Sequence, residues 1–326
     1  AAVLASQVSV YLASGKVCNH FLNMARFQRW LWLSPLYILG PYSAVALLLV
    51  FVHDAGRRFS RKSRLHCLTL GFAISNLFAS LFSPMPEMFR DCDGSSPTLV
   101  MLGKVGETLW VIFYAISEII LLSLVYTKVQ LLTQGGRFQR NAVWLRRSLS
   151  LMLVMFASAF LPLFVWKGFA VSVWRLICAF CFTLAFVIST AIASRTMLFA
   201  ADAAETLVVT GRSPNRMSDA STSNLFEATY WTRWSAYATL SSMASSILLQ
   251  IALFIWMFNR YHAGKVRLVA DWLGALDFVL NAACAASLSG LVGSQANLAL
   301  AEGALDQVGW ALVQQVEMTG SVDSNT

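Results

Sequence analysis

Long apolar runs separated by short polar segments dominate the chain. They cover approximately residues 30–52, 66–84, 105–127, 148–166, 172–194, 236–258 and 268–292, each close to the ~20 residues that cross the hydrocarbon core of a bilayer. The first reads WLWLSPLYILGPYSAVALLLVFV and carries no charge; the fourth and sixth, SLSLMLVMFASAFLPLFVW and AYATLSSMASSILLQIALFIWMF, are equally uncharged. Runs that are apolar on every face over this length are helices, because spanning strands are shorter and alternate. Arg175 falls in the first turn of the fifth run, where a long side chain can reach the interface. The pattern predicts an all-α, polytopic membrane protein with a seven-helix transmembrane domain over residues 30–294. Residues 1–29 are too polar and too interrupted to span and are expected to form an N-terminal interfacial segment. The chain opens without Met, which points to a processed or trimmed start. Beyond 294, Leu298, Ala301, Leu305, Val308, Leu312 and Val316 form one apolar stripe at helical spacing, so 295–326 is expected to hold an amphipathic helix and a tail.

Composition removes the main alternatives. A soluble domain carries about 25% charged residues; here 12% are charged, 57% are hydrophobic and the mean hydropathy is +0.63. That excludes an ordinary soluble enzyme, a nucleic-acid binder and a disordered chain. The net charge of +8 then belongs to the loops of a membrane protein. Arg57, Arg58, Arg61, Lys62 and Arg64 lie between the first two runs, and Lys128, Arg137, Arg140, Arg146 and Arg147 between the third and fourth. The 195–235 segment adds Arg195, Arg212, Arg216 and Arg233, and its stretch GRSPNRMSDASTSN reads as a mobile loop. The first loop on the opposite side is acidic, with Glu87, Asp91 and Asp93. The positive-inside rule then puts the N-terminus outside and the C-terminus in the cytosol. Glu302, Asp306 and Glu317 make the C-terminal helix acidic, which favours packing against protein over docking on an anionic leaflet.

Catalytic chemistry finds no support. The motifs G-x-x-x-x-G-K-[ST], G-x-S-x-G, H-E-x-x-H and G-x-G-x-x-G are absent, so neither an enzyme nor a cofactor is expected. His20, His53, His66 and His262 do not cluster, which leaves no histidine metal site. Cys178 and Cys181 are one helical turn apart and read as packing or as a pair. Cys18 and Cys92 both fall on the outer side, where a disulfide between them is open. The absence of an internal repeat weighs against the usual transporter plan.

Polar residues inside the runs ask for a reason, since a charge in hydrocarbon costs at least ~2.5–3.5 kcal/mol on insertion scales. The third run contains Glu107 and Glu118, which share a helical face with Tyr114 between them. The seventh contains Asp271 near its outer end and then Asp277, Asn281 and Cys284 at i, i+4 and i+7. Asn76 in the second run and Gln250 in the sixth complete the set. If these faces converge, the bundle has a polar interior with Glu118 and Asp277 at its centre. It would serve as a ligand cavity, an ion or proton site or a switch; the bland alternative is a pair of carboxyls bonded between helices. Ala282, Ala286, Gly290 and Ser294 in the seventh run, and Ala238, Ser242 and Ser246 in the sixth, form small-residue stripes suited to close helix approach.

Two families share this plan. In microbial rhodopsins a third-helix carboxylate faces a seventh-helix Asp that precedes the retinal-binding Lys by four residues. Glu118 and Asp277 resemble that pair, but Asn281 stands at the Lys position. The resemblance therefore implies a retinal-less relative, because no amine is there to form the Schiff base. The inner end of the third run resembles G-protein-coupled receptors, locally the fungal peptide-pheromone receptors. The residues that carry it are Ser123, Leu124, Val125 and Tyr126, then Lys128 and Val129, then Gly135, Phe138 and Arg140. The sixth and seventh runs lack the prolines of that family, as the chain lacks Asp-Arg-Tyr and Asn-Pro-x-x-Tyr.

The expectation is a receptor-like integral membrane protein, with the plasma membrane as the favoured address. It would bind an unknown ligand at Glu118, Asp277, Asn281, Tyr114, Glu107, Asn76 and Gln250. Arg137, Arg140, Arg146 and Arg147 would meet a cytosolic signalling protein. The competing readings are an accessory subunit of a larger membrane complex and an ion- or proton-linked transporter. Besides that ligand, the expected partners are the bilayer and protein subunits, with no nucleic acid.

Overall fold

The computed structural model describes residues 38–53, 64–83, 97–132, 139–160, 169–209, 219–258 and 263–289. Every element among them is an α-helix. We number these α1 (Ile38–His53), α2 (Arg64–Phe82), α3 (Pro97–Leu132), α4 (Gln139–Phe160), α5 (Phe169–Val209), α6 (Asp219–Phe258) and α7 (Ala263–Leu288). Four stretches are long and apolar enough to cross a membrane: Leu65–Phe82, Lys104–Gln130, Arg140–Ala159 and Ile177–Ala203. The apolar stretches Ile38–His53 and Trp272–Leu288 are shorter. In α6 the run is diluted by hydroxyls, among them Thr239, Ser242, Ser245 and Ser246.

Several hydroxyls along the helices are compatible with an apolar setting because they bond back to their own helix. Thr69 donates to Leu65 O, Thr127 to Ser123 O, Thr190 to Phe186 O and Thr239 to Ser235 O, all at 2.7–2.8 Å. A hydroxyl spent this way leaves no unsatisfied group to desolvate.

The helices overrun the expected boundaries at their polar ends. Lys128, read as a loop base, lies on α3 and is only 3% exposed. Arg140, Arg146 and Arg147 likewise belong to the first turns of α4 rather than to a loop. The segment QRNAVWLRR is amphipathic: Leu145 is buried and the three arginines are exposed, with Arg147 over the Trp144 ring at 5.7 Å. The expected long loop over 195–235 is mostly helix, since α5 continues to Val209 and α6 begins at Asp219. Its alanine-rich stretch AADAAET has high helix propensity, which outweighs the polar composition. Residues 1–29, 295–326, Cys18, Cys92 and Arg137 lie outside the described residues.

The chain divides into two compact units, Ala1–Ile120 with Ala244–Ala283, and Leu121–Met243 with Cys284–Thr326. In the first, α1 and α2 are antiparallel, with Phe51 beside His66 and Gly40 against Ser80. Antiparallel packing of α2 on α3 stacks Phe78 and Phe82 on Phe113 and brings Gly71 to Ile120. A Cβ on Gly40 would lie 2.9 Å from Ser80 Cβ and 3.2 Å from the Phe278 ring, so only glycine permits this approach. In the second unit α4 and α5 are antiparallel, joined by Asn141 Nδ2 donating to Thr196 Oγ1 at 3.0 Å and Trp174 Nε1 to Ser158 O at 3.1 Å. Its core contains Leu124, Val125, Val129, Met152 and Met197.

Candidate functional site

The first unit holds a buried polar cluster contributed by α3, α6 and α7. Tyr114 and Glu118 are one turn apart on α3, and Asp277 and Asn281 one turn apart on α7. The two helices are parallel at this point, because Tyr114 meets Asp277 and Glu118 meets Asn281. The antiparallel α6 presents Ser245 and Ser246 to the same aspartate.

Asp277 is fully buried and accepts four hydrogen bonds. Oδ1 takes the hydroxyls of Ser245 at 2.6 Å and Ser246 at 2.8 Å. Oδ2 takes the Tyr114 hydroxyl at 2.7 Å and Asn281 Nδ2 at 3.0 Å. Four donors fill the lone-pair sites of a carboxylate, and the shortest of these distances are those of charge-assisted O–H···O bonds. The Asn281 amide also donates from Nδ2 to Glu118 Oε1 at 2.8 Å, so one NH2 group bridges both carboxyls. Glu118 is 2% exposed and its Oε2 has no hydrogen-bond partner among the described residues. Aromatic rings close the cluster: Phe278 meets Tyr114 edge-on at 6.0 Å, and Trp110 lies 6.4 Å from Tyr114.

Four of the seven expected ligand-site residues, Tyr114, Glu118, Asp277 and Asn281, are thus drawn together. Asn76 is fully buried on α2, and neither of its amide atoms has a partner among the described residues. Gln250 is half-buried on α6, one turn beyond Ser246, and is not among the partners of Asp277. Glu107 lies on α3, but its side chain is outside the described residues.

Sequence reading missed three members. Ser245 received no role and Ser246 only a packing role, yet both reach across to Asp277. Trp110, whose buried indole N–H has no partner among the described residues, was also overlooked. The repeated serine pairs Ser241–Ser242 and Ser245–Ser246, four residues apart on a helix facing an acid, were the available signal.

A second, more exposed constellation lies in the other unit. Arg233 on α6 bonds Asp202 on α5 at 2.7 Å and also Glu205. These bonds, to Asp202 first and then Glu205, hold the guanidinium's pKa above its ordinary value. Among the described residues no group of three or more His, Cys, Asp or Glu is placed to hold a metal ion.

No protein-family model, curated protein or solved structure matches the chain.

Proposed function

We propose that the chain is a seven-span, receptor-like membrane protein with its N-terminus outside. It takes a ligand at the Glu118–Asp277 cluster and signals from its cytosolic helix ends. The observation that carries this reading is the cluster itself: two carboxyls, a tyrosine, an asparagine and two serines from three helices meet inside the first unit. A protein that served only as a packing element would gain little from it, because ionisable groups at membrane depth are costly. Helix directions support seven spans. Within the first unit α2 opposes α1 and α3, α6 opposes α7, and α3 and α7 agree, as successive crossings require. Arg140, Arg146 and Arg147, exposed on α4, supply a basic surface for a cytosolic partner. A proton-linked transporter is the second reading, favoured by Glu118 Oε2, which has no partner among the described residues.

Gentle detergent extraction from native membranes, with size analysis and mass spectrometry, tests the receptor reading. A monomer or dimer carrying a soluble signalling protein is expected. A much larger particle with membrane partners in fixed ratio would replace the reading with that of an accessory subunit. Epitope tags at the two termini, probed in intact and permeabilised cells, check the orientation.

A further inference from the structure

The two carboxyls of the cluster are not equivalent. Asp277 has all its acceptor sites filled by donors from Tyr114, Ser245, Ser246 and Asn281. Glu118 shares one of those donors through Oε1, and its Oε2 has no partner among the described residues. Two negative charges bridged by a single amide in a low-dielectric interior repel each other strongly. A positive occupant at Glu118 Oε2 would relieve that repulsion.

The surroundings favour the smallest candidate. The contacts between α2 and α3 set Asn76 at a depth between Tyr114 and Glu118, and neither its Oδ1 nor its Nδ2 has a partner among the described residues. Trp110 sits one turn before Tyr114 on α3, and its indole N–H has no partner among the described residues. A hard metal cation needs about six oxygens, whereas Glu118 Oε2 and Asn76 Oδ1 are the buried side-chain oxygens of the first unit that have no hydrogen bond among the described residues. A hydrogen ion needs one. The orphaned groups of Trp110 and Asn76 are suited to water molecules, which satisfy buried polar atoms of this kind and can relay the ion.

We propose that Glu118 Oε2 is a proton-binding site, with Asp277 the fixed anion of the pair and Trp110 and Asn76 lining the hydrated approach. This deepens the ligand-site reading, on which it rests, by naming the hydrogen ion as an occupant. In the step itself an O–H bond forms at Glu118 Oε2 while an O–H bond of hydronium breaks and leaves water. Tyr114 and Asp277 are the titratable groups facing Glu118 from α3 and α7, and α6 faces the pair with Ser245 and Ser246. On the other elements, Lys104 is exposed on α3, and His53 and His66 lie on the parts of α1 and α2 away from Gly40 and Ser80.

Infrared spectroscopy of the full chain in lipid nanodiscs tests this. The expected result is a carboxylic-acid carbonyl band near neutral pH that shifts in heavy water, weakens as pH rises and disappears in Glu118→Gln. If that variant does not fold, labelling glutamate carboxyls with 13C in the natural chain should move the band, and labelling aspartate should not. A band that moves with aspartate, survives in Glu118→Gln, or is missing at every pH overturns the proposal. So does a band that vanishes when choline chloride is replaced by sodium chloride, since a metal ion would then be the occupant. The band reports protonation alone. If it behaves as expected while the extracted particle proves to be a large complex, only the receptor reading fails.

Discussion

Asp277 accepts four bonds, and all four are lost without it. Hydrogen bonds between membrane helices average ~0.6 kcal/mol, so Asp277→Ala should destabilise the fold by roughly 2 kcal/mol at that value per bond. Detergent-denaturation midpoints in mixed micelles would measure it, and a wild-type midpoint would mean that the bonds contribute nothing. Ser245→Ala and Ser246→Ala should each cost about a quarter of that. The four-residue spacings Tyr114–Glu118 and Asp277–Asn281 made the α3 and α7 faces legible in advance, because a polar stripe in an apolar run has few innocent explanations. The serines were not legible in the same way. A hydroxyl on a membrane helix can bond its own backbone, as Thr239 does, or another helix, as Ser245 does, and residue type does not distinguish the two.

At the scale of elements, close approach and end contacts decide the behaviour. Gly40→Ala should destabilise by about 1–3 kcal/mol, because the added Cβ meets Ser80 Cβ and the Phe278 ring. Gly71→Ala should be neutral or mildly stabilising, since its nearest neighbour, Ile120 Cδ1, lies at an ordinary 3.5 Å. Thermal unfolding of the two variants side by side would check the contrast. Arg233→Ala, which breaks the α5–α6 contact with Asp202 and Glu205, should change stability by less than about 1 kcal/mol, as is usual for exposed ion pairs. The natural protein should lose that increment as salt is raised. Each of the seven described helices overlaps an apolar run of the sequence, but four of them contain a stretch long and apolar enough to cross a membrane, and apolar length could not locate the helix ends. Those ends are set locally, by the amphipathic segment around Arg146 in α4 and by the alanine-rich stretch around Asp202 in α5.

At the scale of the whole molecule, exposed apolar side chains are a test of the medium. Leu49, Val154 and Phe180 are 60–66% exposed on three different helices. On a soluble protein a polar replacement at such sites changes stability by at most about 0.5 kcal/mol. Facing hydrocarbon, Phe180→Arg should cost ~2.5–3.5 kcal/mol on insertion scales, seen as lost insertion in a glycosylation-reporter assay. The bridge between Glu118 and Asn281 joins positions 163 residues apart, and that separation has a meaning in time. A ribosome adding roughly 5–20 residues per second completes α7 on the order of ten to thirty seconds after α3. Throughout that interval the growing chain carries Glu118 without its amide partner, and α3 must be held in the bilayer by its own apolar length. A chain cut short before α7 would stay in that unfinished condition permanently, and it should be cleared by membrane quality control far faster than the complete protein.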